Sequence, residues 1–152
     1  MSRSFTNDGV VIAKAVRDHL NSWEKLPVQI MLEDLGKDVP SMMLQQLSAA
    51  EKKKTYVNGS YIGVWNFAVY IRVAGTDTAS RLDAVACLNE LADWLTELNG
   101  EGCFAHLPAL DDYKQPTSIQ VTSTPSCVMR YDDGIEDYQV ILSLEYKVRR
   151  KV

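Results

Sequence analysis

The sequence predicts an α+β domain, with a mainly antiparallel β-sheet and two helices packed on one of its faces. Three observations carry this expectation. Residues 61–73 and 138–148 alternate in character with the period of two that a half-buried strand requires. Two other segments, at residues 8–23 and 82–98, repeat apolar residues at steps of three and four, as a helix with one buried stripe does. The order read along the chain is α-β-(β)-β-α-β-β, with turn signals at Asn58-Gly59 and Asp133-Gly134.

The first helix is expected over residues 8–23, with Asn7 or Asp8 accepting from its free amides. Val10, Ala13, Val16, Leu20 and Trp23 form its stripe, and Pro27 prevents any continuation. Residues 28–32 read as a short strand. A loop follows to Pro40, and residues 41–47 read as a second strand. Tyr61, Gly63, Trp65, Phe67, Val69, Ile71 and Val73 share one face of a long strand, with Asn66, Tyr70 and Arg72 opposite. Residues 75–77 break this strand and cap the second helix. That helix buries Leu82, Val85, Leu88, Leu91, Leu95 and Leu98, and Gly100 is placed for a left-handed stop.

A long connection is expected over residues 100–116. Strand character then returns at 118–124, Pro125 marks an edge or a bulge, and the strand resumes through Cys127, Met129 and Tyr131. In the last strand Tyr138, Val140, Leu142, Leu144, Tyr146 and Val148 point inward. Gln139, Ser143, Glu145, Lys147 and Arg149 point outward. No repeat, low-complexity tract or linker divides the chain, so residues 1–152 are expected to form a single domain.

Composition narrows the function. The chain is 46% hydrophobic and 24% charged, which is ordinary globular usage. Its net charge of −4 argues against a general nucleic-acid binder, though a local basic patch can hide in such a total. Cys87, Cys103 and Cys127 are odd in number and widely spaced, a poor disulfide framework. Cys87 and Cys127 read as small buried hydrophobes, in keeping with a reducing compartment. The first eight residues hold no apolar signal core, and the apolar runs are too short to span a bilayer. Folding in a cytoplasm without membrane contact is the expectation.

The search for chemistry points away from an enzyme. His19 lies in the first helix and His106 in the long connection, and CxxC, HExxH and GxSxG do not occur. The glycines do not form a phosphate loop. Asp111-Asp112 and Asp132-Asp133 offer too few alternating oxygens for a calcium loop, and hairpin geometry explains Asp133-Gly134. No catalytic residue, metal ligand, cofactor site or cofactor is therefore expected. Two basic clusters remain: Lys52-Lys53-Lys54, and Lys147 with Arg149, Arg150 and Lys151. The plain reading is solvated charge that also discourages unwanted edge pairing. The functional reading assigns Lys52, Lys53, Lys54, Arg149 and Arg150 to an assembly surface or a channel lining that faces an acidic partner or DNA. Against a stacking site, no aromatic residue interrupts the lysine run itself.

Several segments in order resemble the minor capsid and tail-terminator proteins of tailed bacteriophages and prophages. They are residues 41–47 (SMMLQQL), 56–61 (YVNGSY) after the lysine-rich gap, 65–67 (WNF) opening a long strand, the helix through 84–98, and 133–146 (DGIEDYQVILSLEY). The likeness spans nearly the whole chain. It implies a tail-terminator-like α+β subunit that assembles with itself into a ring, commonly a hexamer, at the head-proximal end of the tail tube. The ring would end tube polymerisation and prepare head–tail joining. Implied partners are the tail-tube protein, head-closure or neck proteins, and non-specific contact with DNA in transit. The implied location is the tail or neck of the virion, after assembly in the bacterial host cytoplasm. The family offers no catalytic residues to carry over. Two alternatives are a head-closure or head–tail connector protein, and a small-ligand-binding α+β regulatory domain.

Overall fold

The computed structural model describes residues 8–36, 38–47, 51–75, 78–110 and 113–149. In chain order the elements are α1 (Asp8–Leu20), β1 (Ile30–Leu32), β2 (Ser41–Gln46), β3 (Glu51–Thr55), β4 (Tyr61–Ala74), α2 (Thr78–Thr96), β5 (Lys114–Arg130) and β6 (Ile135–Val148). They form the expected α+β architecture. One six-stranded sheet runs β1-β2-β4-β6-β5, with β3 pairing β4 beside β2. β1 and β2 are parallel, and every other pair is antiparallel.

β4 is the centre of the sheet. Its inward set, Trp65, Phe67, Val69 and Ile71, is nearly solvent-free, as are its partners Leu144, Leu142, Val140 and Tyr138 on β6. Ile12, Val16 and Leu20 of α1 join the same core cluster as Leu88, Leu91 and Leu95 of α2. Both helices therefore close over one face. Each such side chain contributes about 1.5–3 kcal/mol on burial. Gly63 belongs to this face for a steric reason: a Cβ there would lie 2.3 Å from the Tyr146 ring.

The departures from expectation have local causes. α1 ends at Leu20 because the Asn21 side chain ties the chain to β1. Its Nδ2 donates to the Ile30 carbonyl (3.2 Å), and its Oδ1 accepts from the Ile30 amide (2.7 Å). Trp23 still reaches the core, through a tight turn in which its amide donates to the Leu20 carbonyl (3.1 Å). The buried stripe of α1 includes Ile12, which the expected set omitted.

On α2 the stripe is rotated and shortened. Ala84 and Ala92 face the sheet, whereas Leu82 is 64% exposed and Leu98 is 53% exposed. Gly100 does not provide the left-handed stop. The helix ends at Thr96, whose Oγ1 donates to the Ala92 carbonyl (2.8 Å), and Gly102 takes the positive φ of 81° in the turn that follows. The first short strand covers Ile30–Leu32 alone. The connection after α2 ends sooner than expected, because β5 begins at Lys114 and runs through Pro116 and Pro125. β5 is an edge strand with four register shifts, two of them beside these prolines.

The lysine-rich segment is a strand, which the sequence reading did not assign. Lysine is a poor strand former. Here the turn at Asn58-Gly59 folds the segment back onto β4, and its edge position keeps the charges solvated. Asn7 and Asp77, expected as caps, and the pair Asp111-Asp112 lie outside the described residues, as does Arg150.

Candidate functional site

The register of the sheet gathers the basic residues at one end. Thr55 pairs with Tyr61, and Tyr61 pairs with Val148, so the end of β3 and the end of β6 meet at the start of β4. Lys52, Lys53 and Lys54 lie on β3, and Arg149 follows β6 with its amide donating to the Tyr113 carbonyl (2.9 Å). Four of the five expected surface residues are thus brought to one end of the molecule, together with Lys147.

Aromatic rings organise this end, a feature the lysine run alone did not announce. Lys52 Nζ stands 4.5 Å from the centre of the Tyr61 ring. Lys54 Nζ and Lys147 Nζ stand 5.2 Å and 6.0 Å from the centre of the Tyr56 ring. At exposed sites each such contact contributes about 0.5–1 kcal/mol. Lys53 Nζ pairs with Glu145 Oε2 (3.3 Å), an exposed ion pair worth about 1 kcal/mol at most. The signal available in the sequence was Tyr56, two positions past the run, and Tyr61 across the turn.

The turn itself is tightly built. The Tyr56 amide donates to the Ser60 carbonyl (2.7 Å), and the Ser60 amide donates to Asn58 Oδ1 (3.0 Å). Gly59 adopts a φ of 89°, which favours glycine. The geometry leaves Val57 at the tip, 108% exposed relative to its reference state. Tyr56, Val57, Lys147 and Arg149 border an open depression here. This end of the sheet is a charged, partly aromatic exposed surface.

Two buried carboxylates occupy the opposite end of β4 and β6, one on each face of the sheet. Glu136 lies on the helix side and receives Arg81 Nε at 2.8 Å and Arg130 Nε at 2.6 Å. Burial alone would push its carboxyl up, but hydrogen bonds and charge from Arg130 and Arg81 outweigh this and hold it below the ordinary value. Asp137 lies on the other side and takes Arg72 in a fork, Nε to Oδ1 at 2.8 Å and Nη2 to Oδ2 at 3.0 Å. The Tyr131 hydroxyl adds a third bond to Oδ2 (2.9 Å). The Asp137 hydrogen bond in turn pushes the Arg72 guanidinium above its usual range. All four carboxylate oxygens are engaged by this chain's own donors, so the pair acts as internal bracing.

The histidines flank Trp94. His19 stacks at 4.9 Å on the ring and His106 at 4.8 Å. His19 Nε2 donates to the His106 carbonyl (3.1 Å), and His106 Nε2 meets Glu97 Oε2 (2.8 Å). Burial lowers the His19 pKa, the His106 carbonyl opposes the shift, and the nearby His106 charge adds to it. Asp133 Oδ1 accepts from the Ile135 amide (3.2 Å), in the turn role expected of it. Cys87 and Cys127 are half-buried and Cys103 is exposed. Burial, with help from Glu90, pushes the Cys87 thiol up to about 11.

Among the described residues no cluster of three or more His, Cys, Asp or Glu side chains could hold a metal ion. Among the same residues no helix is long and apolar enough to cross a membrane. Compared with known proteins, the chain matches no family model and no curated protein sequence.

Proposed function

We propose that the chain is a structural phage or prophage protein that caps the head-proximal end of a tail tube, ending its polymerisation and preparing head–tail joining. In this reading it acts as a ring subunit, commonly one of six, and not as an enzyme. Its contacts are further copies of itself, the tail-tube protein and head-closure or neck proteins.

The observation that carries the reading is where the resembling segments lie. They are β2, the β3–β4 turn, β4, α2 and β6, which are contiguous parts of one sheet and its covering helix. Support also comes from the basic end, where Lys52, Lys53, Lys54, Lys147 and Arg149 form a surface suited to an acidic partner or to DNA in passage.

A second reading, a small-ligand-binding domain, draws on one observation. An apolar groove of about 610 Å³ lies between α2 and the segment after α1. That volume falls within the range of ligand pockets, roughly 300–1,000 Å³.

The test adds purified protein to polymerising tail-tube protein and measures tube lengths by electron microscopy. Capping predicts tubes that stop growing at one end, with protein density at that end. Unchanged length distributions at saturating folded protein would refute it. Rescue of head joining without any effect on tube length would assign the connector role instead.

A further inference from the structure

The β3–β4 turn and the groove beside α2 are complementary, yet they cannot meet within one molecule. The turn presents an apolar tip, Tyr56 and Val57, beside Lys54, Lys147 and Arg149. The groove presents an apolar floor that includes Trp23, Val39, Ile71 and Val73. Asp83 and Glu90 of α2 stand on its wall, with Lys25 also lining it. Asp83, Glu90, Asp93 and Glu97 recur at helical spacing, so the acidic stripe continues past the groove. Among the described residues Asp83, Glu90 and Asp93 form no ion pair, and neither do Lys54, Lys147 and Arg149.

The two surfaces sit at opposite ends of β4. The turn precedes Tyr61, and the groove is lined by Ile71, Val73 and Ala74. At roughly 3.3 Å per residue, the ten residues from Tyr61 to Ile71 separate them by about 33 Å.

We infer that the turn of one chain docks into the groove of a second copy, Val57 entering the apolar floor while Lys54, Lys147 and Arg149 face Asp83 and Glu90. Unlike patches on one molecule that fit one another make a heterologous contact. Repeated head to tail, such contacts close into a ring when the rotation between neighbours permits, and otherwise extend as a filament. The inference deepens the assembly reading, and it rests on that reading for closure of the ring. It names the occupant of the groove as protein of the same sequence, because the matching charge and the exposed apolar tip are both present on the chain itself.

The experiment is sedimentation velocity of the purified full chain over a concentration series, at low salt and at high salt. Wild type should self-associate, and added salt should weaken the association. Val57→Asp spoils the tip and Glu90→Arg spoils the groove. Both positions are exposed, so circular dichroism and melting should be unchanged in each. Each variant alone should lose at least tenfold in self-affinity.

An equimolar mixture of the two variants should form one-to-one pairs and stop there, because each retains one sound half of the contact. Wild-type association by either variant would overturn the inference. So would a mixture that stays monomeric, or a monomeric wild type that binds a hydrophobic amine in the groove. Tube capping is scored separately. Association through this contact without capping refutes the tail role and leaves the contact standing. Capping by folded variants that no longer associate shows that the tail role does not need this contact.

Discussion

Arg72→Met tests whether the Asp137 cluster braces the sheet. The substitution keeps an unbranched apolar stem but removes both arms of the fork. Asp137 stays in place with its side chain 6% exposed and with Tyr131 as its remaining hydrogen-bond partner among those described. Breaking a buried pair from one side costs about 3–5 kcal/mol. The Arg72 side chain retains 20% exposure, which places the expected loss near the lower limit, about 3 kcal/mol. For a chain of this size that is a fall in Tm of roughly 6–12 °C. Replacing both partners, Arg72→Met with Asp137→Leu, leaves no stranded charge and should recover most of the loss. Urea unfolding followed by circular dichroism supplies all corners of the cycle. Additive losses, or a single-variant loss below about 1 kcal/mol, would show that the fork contributes no more than an exposed pair.

Leu142→Asp and Leu91→Asp each bury an unpaired carboxylate at a fully enclosed position, and each should leave the chain unfolded by circular dichroism. Glu145→Ala, which loses one exposed pair to Lys53, should melt within a few degrees of wild type, and equal effects from all three would contradict the facing of β6. Charge reversal at Lys52, Lys53, Lys54 and Arg149 should spare the melting temperature while weakening assembly in a salt-dependent way, and normal assembly would return these residues to plain solvated charge. The folded-state pKa is lowered for both Glu136 and His19, so each contributes stability at high pH. The His19 contribution is complete above about 6.5 and the Glu136 contribution above about 4.5, and each is lost as pH falls through its own lowered pKa. Urea midpoints should therefore fall from pH 7.5 toward pH 3.5, and an NMR titration of His19 at or above its ordinary value would refute its part.

The sequence was most legible where one side of an element is dry and the other wet. Alternation along β4 and β6 reported the inward faces correctly because a period of two leaves no other arrangement. It was less legible where a neighbour decides. The lysine segment is a strand because β4 offers it partners, and no local propensity announces that. Leu82 and Leu98 continue a helical stripe beyond the point where there is sheet to cover, so periodicity overstated the buried length of α2. The basic end was readable as two separate clusters, and their meeting depended on the pairing of Tyr61 with Val148. Arg72 and Asp137 are 65 positions apart, and the stack on Trp94 joins residues from three segments. Such partners become visible with the register, which composition and spacing do not carry.

The pairing of β4 with β6 has a mechanical consequence. It runs from Tyr61↔Val148 to Ala74↔Ile135 across 14 residue pairs without a register shift. Tension applied between the Tyr61 end of β4 and the Ile135 end of β6 loads the whole ladder between the two strands in shear, so its bonds must fail together. β5 is joined to β6 through four interruptions, so a pull on it would open the bonds a few at a time. The molecule is therefore stiff along one axis and peelable at one edge. A molecule loaded across this ladder would hold its central strands together while its outer strand stays free to yield.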